Sequence, residues 1–211
     1  MRKRLIAFFV AVMAVAAQSV ACTSVIVGKD ASVDGSVMCT YSCDSYGTFH
    51  PMYHFPAAKH EKGEMLKIYD RDTRVYHGEI PEAPITYNVV GNMNEWQVTI
   101  GETTFGGRSE LIDTTGIMDY GSLMNVALQR SKTAREAISV MTTIAETYGF
   151  NSSGESFTSA TPTRRGLWKW WAAVLAARLW HGWLCAFPTM PSAHTLIIHA
   201  STNLTKRTRR T

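Results

Sequence analysis

The chain has 211 residues, of which 45% are hydrophobic and 18% charged, with four cysteines and a formal net charge of +4. That length accommodates one domain with a sizeable core, and four cysteines are too few for a disulfide scaffold. The net charge is unevenly spread: residues 22–156 carry ten Lys/Arg against 17 Asp/Glu, a net −7, whereas residues 157–211 carry eight Lys/Arg and no acid. A nucleic-acid reading would therefore rest on the tail alone.

Residues 1–21 have the three parts of a secretory signal. Met1-Arg2-Lys3-Arg4 is a basic start, Leu5 to Ala17 an apolar stretch, and Gln18-Ser19-Val20-Ala21 supplies small residues before a cleavage point. The apolar run is short for a membrane span, which needs about 20 residues. Cleavage after Ala21 leaves Cys22 at the head of the mature chain, with a thiol and a free α-amino group on one residue. That is a nucleophile and its base together. The amine titrates near ~7.7–8.0 and a plain thiol near ~8.5, so the amine can take the thiol proton at neutral pH. Small residues before a cysteine also fit a lipoprotein signal, although Ser19 stands where such signals usually have Leu. Lipidation of Cys22 would block the nucleophile, so the two readings exclude each other.

Ser24-Val25-Ile26-Val27 is rich in β-branched residues and predicts a strand. Lys29 to Gly35 carries turn chemistry closing on Asp34-Gly35. Ser36 to Tyr41 predicts a second strand, giving a hairpin with Cys22 at its open end. Asp44 follows that strand and could fold back to orient the Cys22 amine. Cys39 and Cys43 are four residues apart; about 13 Å of strand separates them, too far to bridge, and they are expected as buried small hydrophobes. From Gly47 to His60 the chain is aromatic and Pro-bearing. His50 and His54 have a ligand-like spacing, but Pro51 and Pro56 argue against one helix carrying both, so a packed or substrate-facing loop is expected. Pro81 and Pro84 mark another loop.

Tyr87 to Glu95 followed by Trp96 to Ile100 predicts strand, tight turn, strand. The run Gly101 to Arg108 then reads as a polar edge at a strand end, where glycines let a ligand approach the backbone. Tyr120 to Arg130 predicts a helix. Thr133-Ala134-Arg135-Glu136 is a capping box, and Ala137, Met141, Ile144, Ala145 and Tyr148 repeat at helical spacing up to Gly149, a C-terminal cap. Strands followed by paired helices fit a layered α/β or α+β domain.

Several stretches carry a resemblance to peptidase family C69. They are Ala-Cys-Thr-Ser-Val-Ile-Val-Gly-Lys at 21–29, Val-Val-Gly-Asn-Met-Asn-Glu at 89–95, and Glu-Thr-Thr-Phe-Gly-Gly-Arg at 102–108. Ile-Met-Asp-Tyr-Gly-Ser-Leu at 117–123, Gln-Arg-Ser-Lys-Thr-Ala-Arg-Glu-Ala-Ile at 129–138, and Tyr-Gly-Phe-Asn-Ser-Ser-Gly-Glu-Ser-Phe at 148–157 complete it. The resemblance implies an α+β fold, a four-layer αββα N-terminal-nucleophile hydrolase sandwich, incomplete in this chain. It implies an exported cysteine dipeptidase acting through an acyl-enzyme on Cys22, with small peptide substrates, no cofactor, no metal, no nucleic acid and no membrane span after signal removal. Asp44 matches an acidic position of the family. Three residues earlier, where relatives carry Arg, this chain has Tyr41. By analogy with bile-salt hydrolases and penicillin acylases, Thr103 and Thr104 line the oxyanion side. The alternatives are another amide hydrolase of the same superfamily, of bile-salt or acyl-amide type, and a lipid-anchored surface binding protein.

The resemblance stops after Phe157. Residues 158–211 contain five of the six Trp and no Asp or Glu, unlike globular chains with charges of both signs. With each codon formed from the third base of one residue and the first two of the next, the junctions Trp168-Lys169, Trp180-His181 and Met190-Pro191 are forced to Glu, Ala and Ala. The permitted text includes Ser-Ala-His-Ala-Asn and several acids, as the family continues. The expected organisation is a signal at 1–21, the N-terminal portion of a dipeptidase domain at 22–157, and an out-of-frame tail without native fold at 158–211. In related hydrolases the Asn of that restored segment helps hold the oxyanion, and losing such a donor typically costs ~10²–10³ in rate. The chain as written is expected to be poorly folded and nearly inactive.

Overall fold

The computed structural model describes residues 22–27, 32–43, 51–106, 109–160, 170–175, 185–187 and 195–199. It is an α+β structure. Strands β1 (Thr23–Val27) and β2 (Met38–Ser42) form the expected antiparallel hairpin, with Thr23 opposite Ser42 and Val27 opposite Met38. The second strand starts two residues later than predicted. In the turn, the Ser36 amide donates to Asp34 Oδ1 (2.9 Å) and Gly35 has φ 73°, a left-handed conformation that glycine adopts without steric cost.

The segment from Pro51 to Asn94 folds into short strands. These are β3 (His54–Phe55), β4 (Ala58–Lys59), β5 (Met65–Tyr69), β6 (Tyr76–Pro81), β7 (Ile85–Thr86), β8 (Val89–Val90) and β9 (Met93–Asn94). The aromatic loop predicted from Gly47 to His60 thus contains two strands, and its part from 47 to 50, with His50, lies outside the described residues. Pro81 ends β6 instead of lying in a loop. The strand predicted over Trp96–Ile100 begins only at Thr99. Before it, Asn94 to Val98 is a turn in which Gln97 has φ 59°. Asn94 forms the hub of that turn: its Oδ1 accepts the amides of Trp96 and Val98 (both 3.0 Å), and its Nδ2 donates to the carbonyls of Leu128 and Ser131 (both 2.7 Å). A local side chain satisfying two amides competes successfully with a ladder.

Strand β10 (Thr99–Gly106) pairs with β11 (Gly154–Ala160), Thr99 opposite Ala160 and Gly106 opposite Gly154, with a register shift between Thr104 and Gly106. Gly101 therefore lies mid-strand and not at a strand end. Three backbone strands follow: β12 (Trp170–Leu175) beside β11, β13 (Cys185–Phe187) beside β12, and β14 (Thr195–His199) beside β1. The large sheet runs β13-β12-β11-β10-β9-β8-β3 and the small one β14-β1-β2.

Helices α1 (Tyr120–Arg130) and α2 (Ala134–Tyr148) form as their periodicity predicts. Asp119 caps α1 by accepting the amides of Gly121 (2.7 Å) and Ser122 (3.1 Å). Thr133 Oγ1 accepts the Glu136 amide, while the Glu136 carboxylate reaches back to the Lys132 amide (2.7 Å) and not to that of Thr133. Gly149, at φ 76°, donates to the Ala145 carbonyl and presses on Gly116 so closely that a Cβ there would sit 2.6 Å from the Gly116 Cα.

These elements stack in three layers. Ile100 joins a core with Val98, Met118, Leu123, Met124, Leu128, Met141, Ile144 and Phe157, on the helix side of the large sheet. Its neighbour Gly101 faces the other way, toward Ser24 and Tyr41 of the small sheet. Alternation along one strand thus supplies a helix-facing and a hairpin-facing surface. Asn94→Ala would leave two amides and two carbonyls short of a buried partner, and should lower stability by ~3 kcal/mol or more in urea titration.

Candidate functional site

Cys22 lies at the head of β1 and is 6% exposed. Continuing the β1–β2 register one step beyond Thr23 and Ser42 places it opposite Cys43, and the two thiols are hydrogen-bonded. Cys43 is exposed and Cys39 half-buried, so neither is the buried hydrophobe expected. The physical reason is the pleat: residues 39, 41 and 43 share one face of β2, and that face is polar where it meets β10.

The contact between hairpin and large sheet is made by hydrogen bonds. Ser24, fully buried, donates its hydroxyl to the Glu102 carbonyl (3.3 Å), and the Thr103 hydroxyl lies 3.4 Å from Ser24 Oγ. Tyr41 donates to Glu102 Oε2 (3.0 Å), and Thr104 donates to Glu102 Oε1 (2.8 Å). Thr103 is therefore buried two residues along from Cys22, while Thr104 orients a carboxylate. Asp44 lies outside the described residues.

Glu102 and Glu155 are buried side by side, 1% and 2% exposed. Ser153 donates to Glu155 Oε1 (3.4 Å), and Glu155 Oε2 is buried without a hydrogen-bond partner among the described residues. Burial, together with Glu102 alongside, pushes the Glu155 carboxyl up to about 10. Glu155 thus holds its proton at neutral pH. Burial and then the Glu102 charge also push the Tyr41 phenol far above its usual range, so it remains a donor.

The β5–β6 turn forms the rim. Asp70 Oδ1 accepts the amides of Asp72 (3.0 Å) and Thr73 (2.6 Å) and the Thr73 hydroxyl (2.8 Å). The Asp70 carboxyl feels burial upward, but these bonds outweigh it and hold it below its ordinary value. The Tyr120 hydroxyl donates to Asp72 (3.0 Å) from the start of α1. Burial, the Asp72 charge and that bond push its phenol far up. Burial is also the main cause raising the Cys43 thiol, and the hydrogen bond with Cys22 and the charge of Arg71 act the other way.

Among the described residues, no three His, Cys, Asp or Glu come together to hold a metal, and no helix is long and apolar enough to cross a membrane. A cavity of about 270 Å³ between the sheets is lined by Val37, Cys39, Met93, Gln97, Thr99 and Ala160, at the end of β10 away from Thr103. Tyr41, Cys43, Glu102 and Glu155 were not singled out as site residues from sequence. The available signal was an acid inside each of two apolar-flanked strands, Gly101–Phe105 and Gly154–Ala160.

The arrangement is that of an α+β protein with a thiol at the head of a hairpin, packed through buried polar groups on a helix-backed sheet. Residues 21–64 and 50–183 match the model of peptidase family C69, and the chain belongs to that family. The match continues past Phe157, where the motif resemblance ends. A probable dipeptidase A of Streptococcus pyogenes serotype M18 (strain MGAS8232) is 25% identical over 182 residues, covering 77% of this chain and 37% of that protein. The chain thus spans little more than a third of that relative's length.

The native state binds more protons than the unfolded chain wherever Glu155 is protonated only when folded. Stability should therefore fall as pH rises from about 4.5 toward about 10. In Glu155→Gln that fall should be shallower, as read from thermal midpoints across this range.

Proposed function

We propose that this chain is an exported cysteine dipeptidase of the N-terminal-nucleophile type, with Cys22 as nucleophile once residues 1–21 are removed. Membership of family C69 carries the reading. The position of Cys22 at the head of β1, two residues from the Ser24–Thr103 contact, supports it. The Cys22 sulfur attacks the peptide carbonyl while its own amine takes the thiol proton. The tetrahedral oxyanion forms on the Thr103 side. Collapse breaks the C–N bond, and the amine's proton passes to the leaving amino group. Water, deprotonated by the same amine, then attacks the thioester and releases the acid. Asp44 orients and steadies the protonated amine. In this reading the fold is a four-layer αββα sandwich, and the α+β order of two packed sheets and a helix pair is compatible with it.

The out-of-frame reading of residues 158–211 belongs to the same proposal and rests on composition and on the forced codons. Sequencing the gene across codons 158–162 checks it: a one-base slip there is expected, and an uninterrupted frame rejects it.

Two measurements test the catalytic part. Mass spectrometry of the mature N-terminus should find an unblocked Cys22; an acylated one would favour a lipid-anchored protein. In a frame-restored enzyme, Cys22→Ala should abolish dipeptide hydrolysis, a loss of at least ~10³-fold. Turnover of acyl amides but not dipeptides would move the protein to another branch of the superfamily.

A further inference from the structure

Arg71 extends from the β5–β6 turn and is half-buried. Its guanidinium carbon lies 5.4 Å from the Tyr53 ring centre and 6.0 Å from that of Tyr120. Arg74 approaches the same Tyr53 ring at 5.0 Å and donates to the Tyr53 hydroxyl. Two guanidinium groups thus share one aromatic face. Among the described residues, neither makes a salt bridge. The acids on the same turn are engaged elsewhere: Asp70 holds the turn's amides and Asp72 accepts from Tyr120.

The stem of Arg71 rests on the first turn of α1, in space that exists only because residue 121 is glycine. A Cβ on Gly121 would meet Arg71 Cδ at 2.0 Å, Cβ at 2.7 Å and Cγ at 2.8 Å. The side chain is therefore held from below by the helix, from the sides by two rings, and from behind by a hydrogen-bonded turn. Its charge acts with the Cys22 hydrogen bond to lower the Cys43 thiol, against burial and the Asp72 and Glu102 charges, which raise it. A guanidinium without a carboxylate partner, fixed by packing, presents a planar fork suited to carboxylate.

We propose that Arg71, clamped between Tyr53 and Tyr120 over Gly121, is a subsite that receives the α-carboxylate of a short peptide. The identity of the ligand rests on the peptidase reading above, whereas the anion site itself rests on the clamp. A dipeptide has its carboxylate one residue from the scissile carbonyl, so a fixed cation near the thiol selects peptides by length as well as by charge.

The test uses the frame-restored chain with residues 1–21 removed and does not need turnover. The thiols are alkylated with iodoacetate, which carries a carboxylate, or with iodoacetamide, its neutral counterpart, and each cysteine is read by peptide mass spectrometry. Arg71→Gln should lower the iodoacetate-to-iodoacetamide rate ratio at Cys43 roughly tenfold and leave that at Cys39 unchanged, as loss of a partly desolvated charge contact gives. Gly121→Ala, which favours the helix while displacing the Arg71 stem, should lower it too, with the circular dichroism of the native chain. A ratio at Cys43 unchanged in both variants overturns the subsite.

In the second arm, dialanine should slow iodoacetamide attack on Cys22 in wild type but not in Arg71→Gln, and dialanine amide should protect roughly tenfold less well. Equal protection by the two, or protection by neither, overturns carboxylate recognition. The peptidase reading stands or falls separately, on Cys22→Ala.

Discussion

Packing the β1–β2 hairpin onto β10 is the constraint on which the site depends. Two sheets usually meet through apolar side chains, but here the contact near Cys22 is made by Ser24, Tyr41, Glu102 and Thr103. Each of these groups loses water on burial, so each must find a partner within the contact. Once Ser24 donates to the Glu102 carbonyl and Tyr41 to its carboxylate, the hairpin can sit in only one register over the large sheet. Cys22, one residue before β1, inherits its position from that register.

The same requirement shapes the buried acids. Glu102 accepts from Tyr41 and Thr104, while Glu155 beside it has Ser153 and Thr104 as hydroxyl partners. Burial and the neighbouring carboxylate together favour the neutral form of Glu155. Arg71 and Arg74 bring two guanidinium groups to the Tyr53 ring at the β5–β6 turn.

The helices were readable because their signals are local. Ala137, Met141 and Ile144 recur at helical spacing and are all buried, and Thr133, Glu136 and Gly149 cap where capping chemistry places them. The hairpin was readable for the same reason, through β-branched residues on either side of Asp34-Gly35. The stretch from Tyr87 to Ile100 was read only in part. Its turn depends on Asn94 bonding carbonyls more than 30 residues away at the end of α1 and just beyond it, and no window around Trp96 contains that information. Cys43 was misjudged because burial of a strand face depends on what covers it: the face that buries Ser24 against β10 leaves Cys43 at the hairpin's open end.

By itself, the amino-acid sequence determined the family, the cysteine at position 22, the hairpin behind it and the two capped helices. Each is written in residues that are neighbours along the chain or along one helical face. Only the tertiary structure decided that Tyr41 reaches Glu102, that Glu155 is buried beside Glu102, that Cys22 pairs with Cys43, and that Arg71 fills the space left by Gly121. Those pairings join residues 21 to 61 positions apart, and the energy of a buried polar contact depends on which distant group arrives to satisfy it.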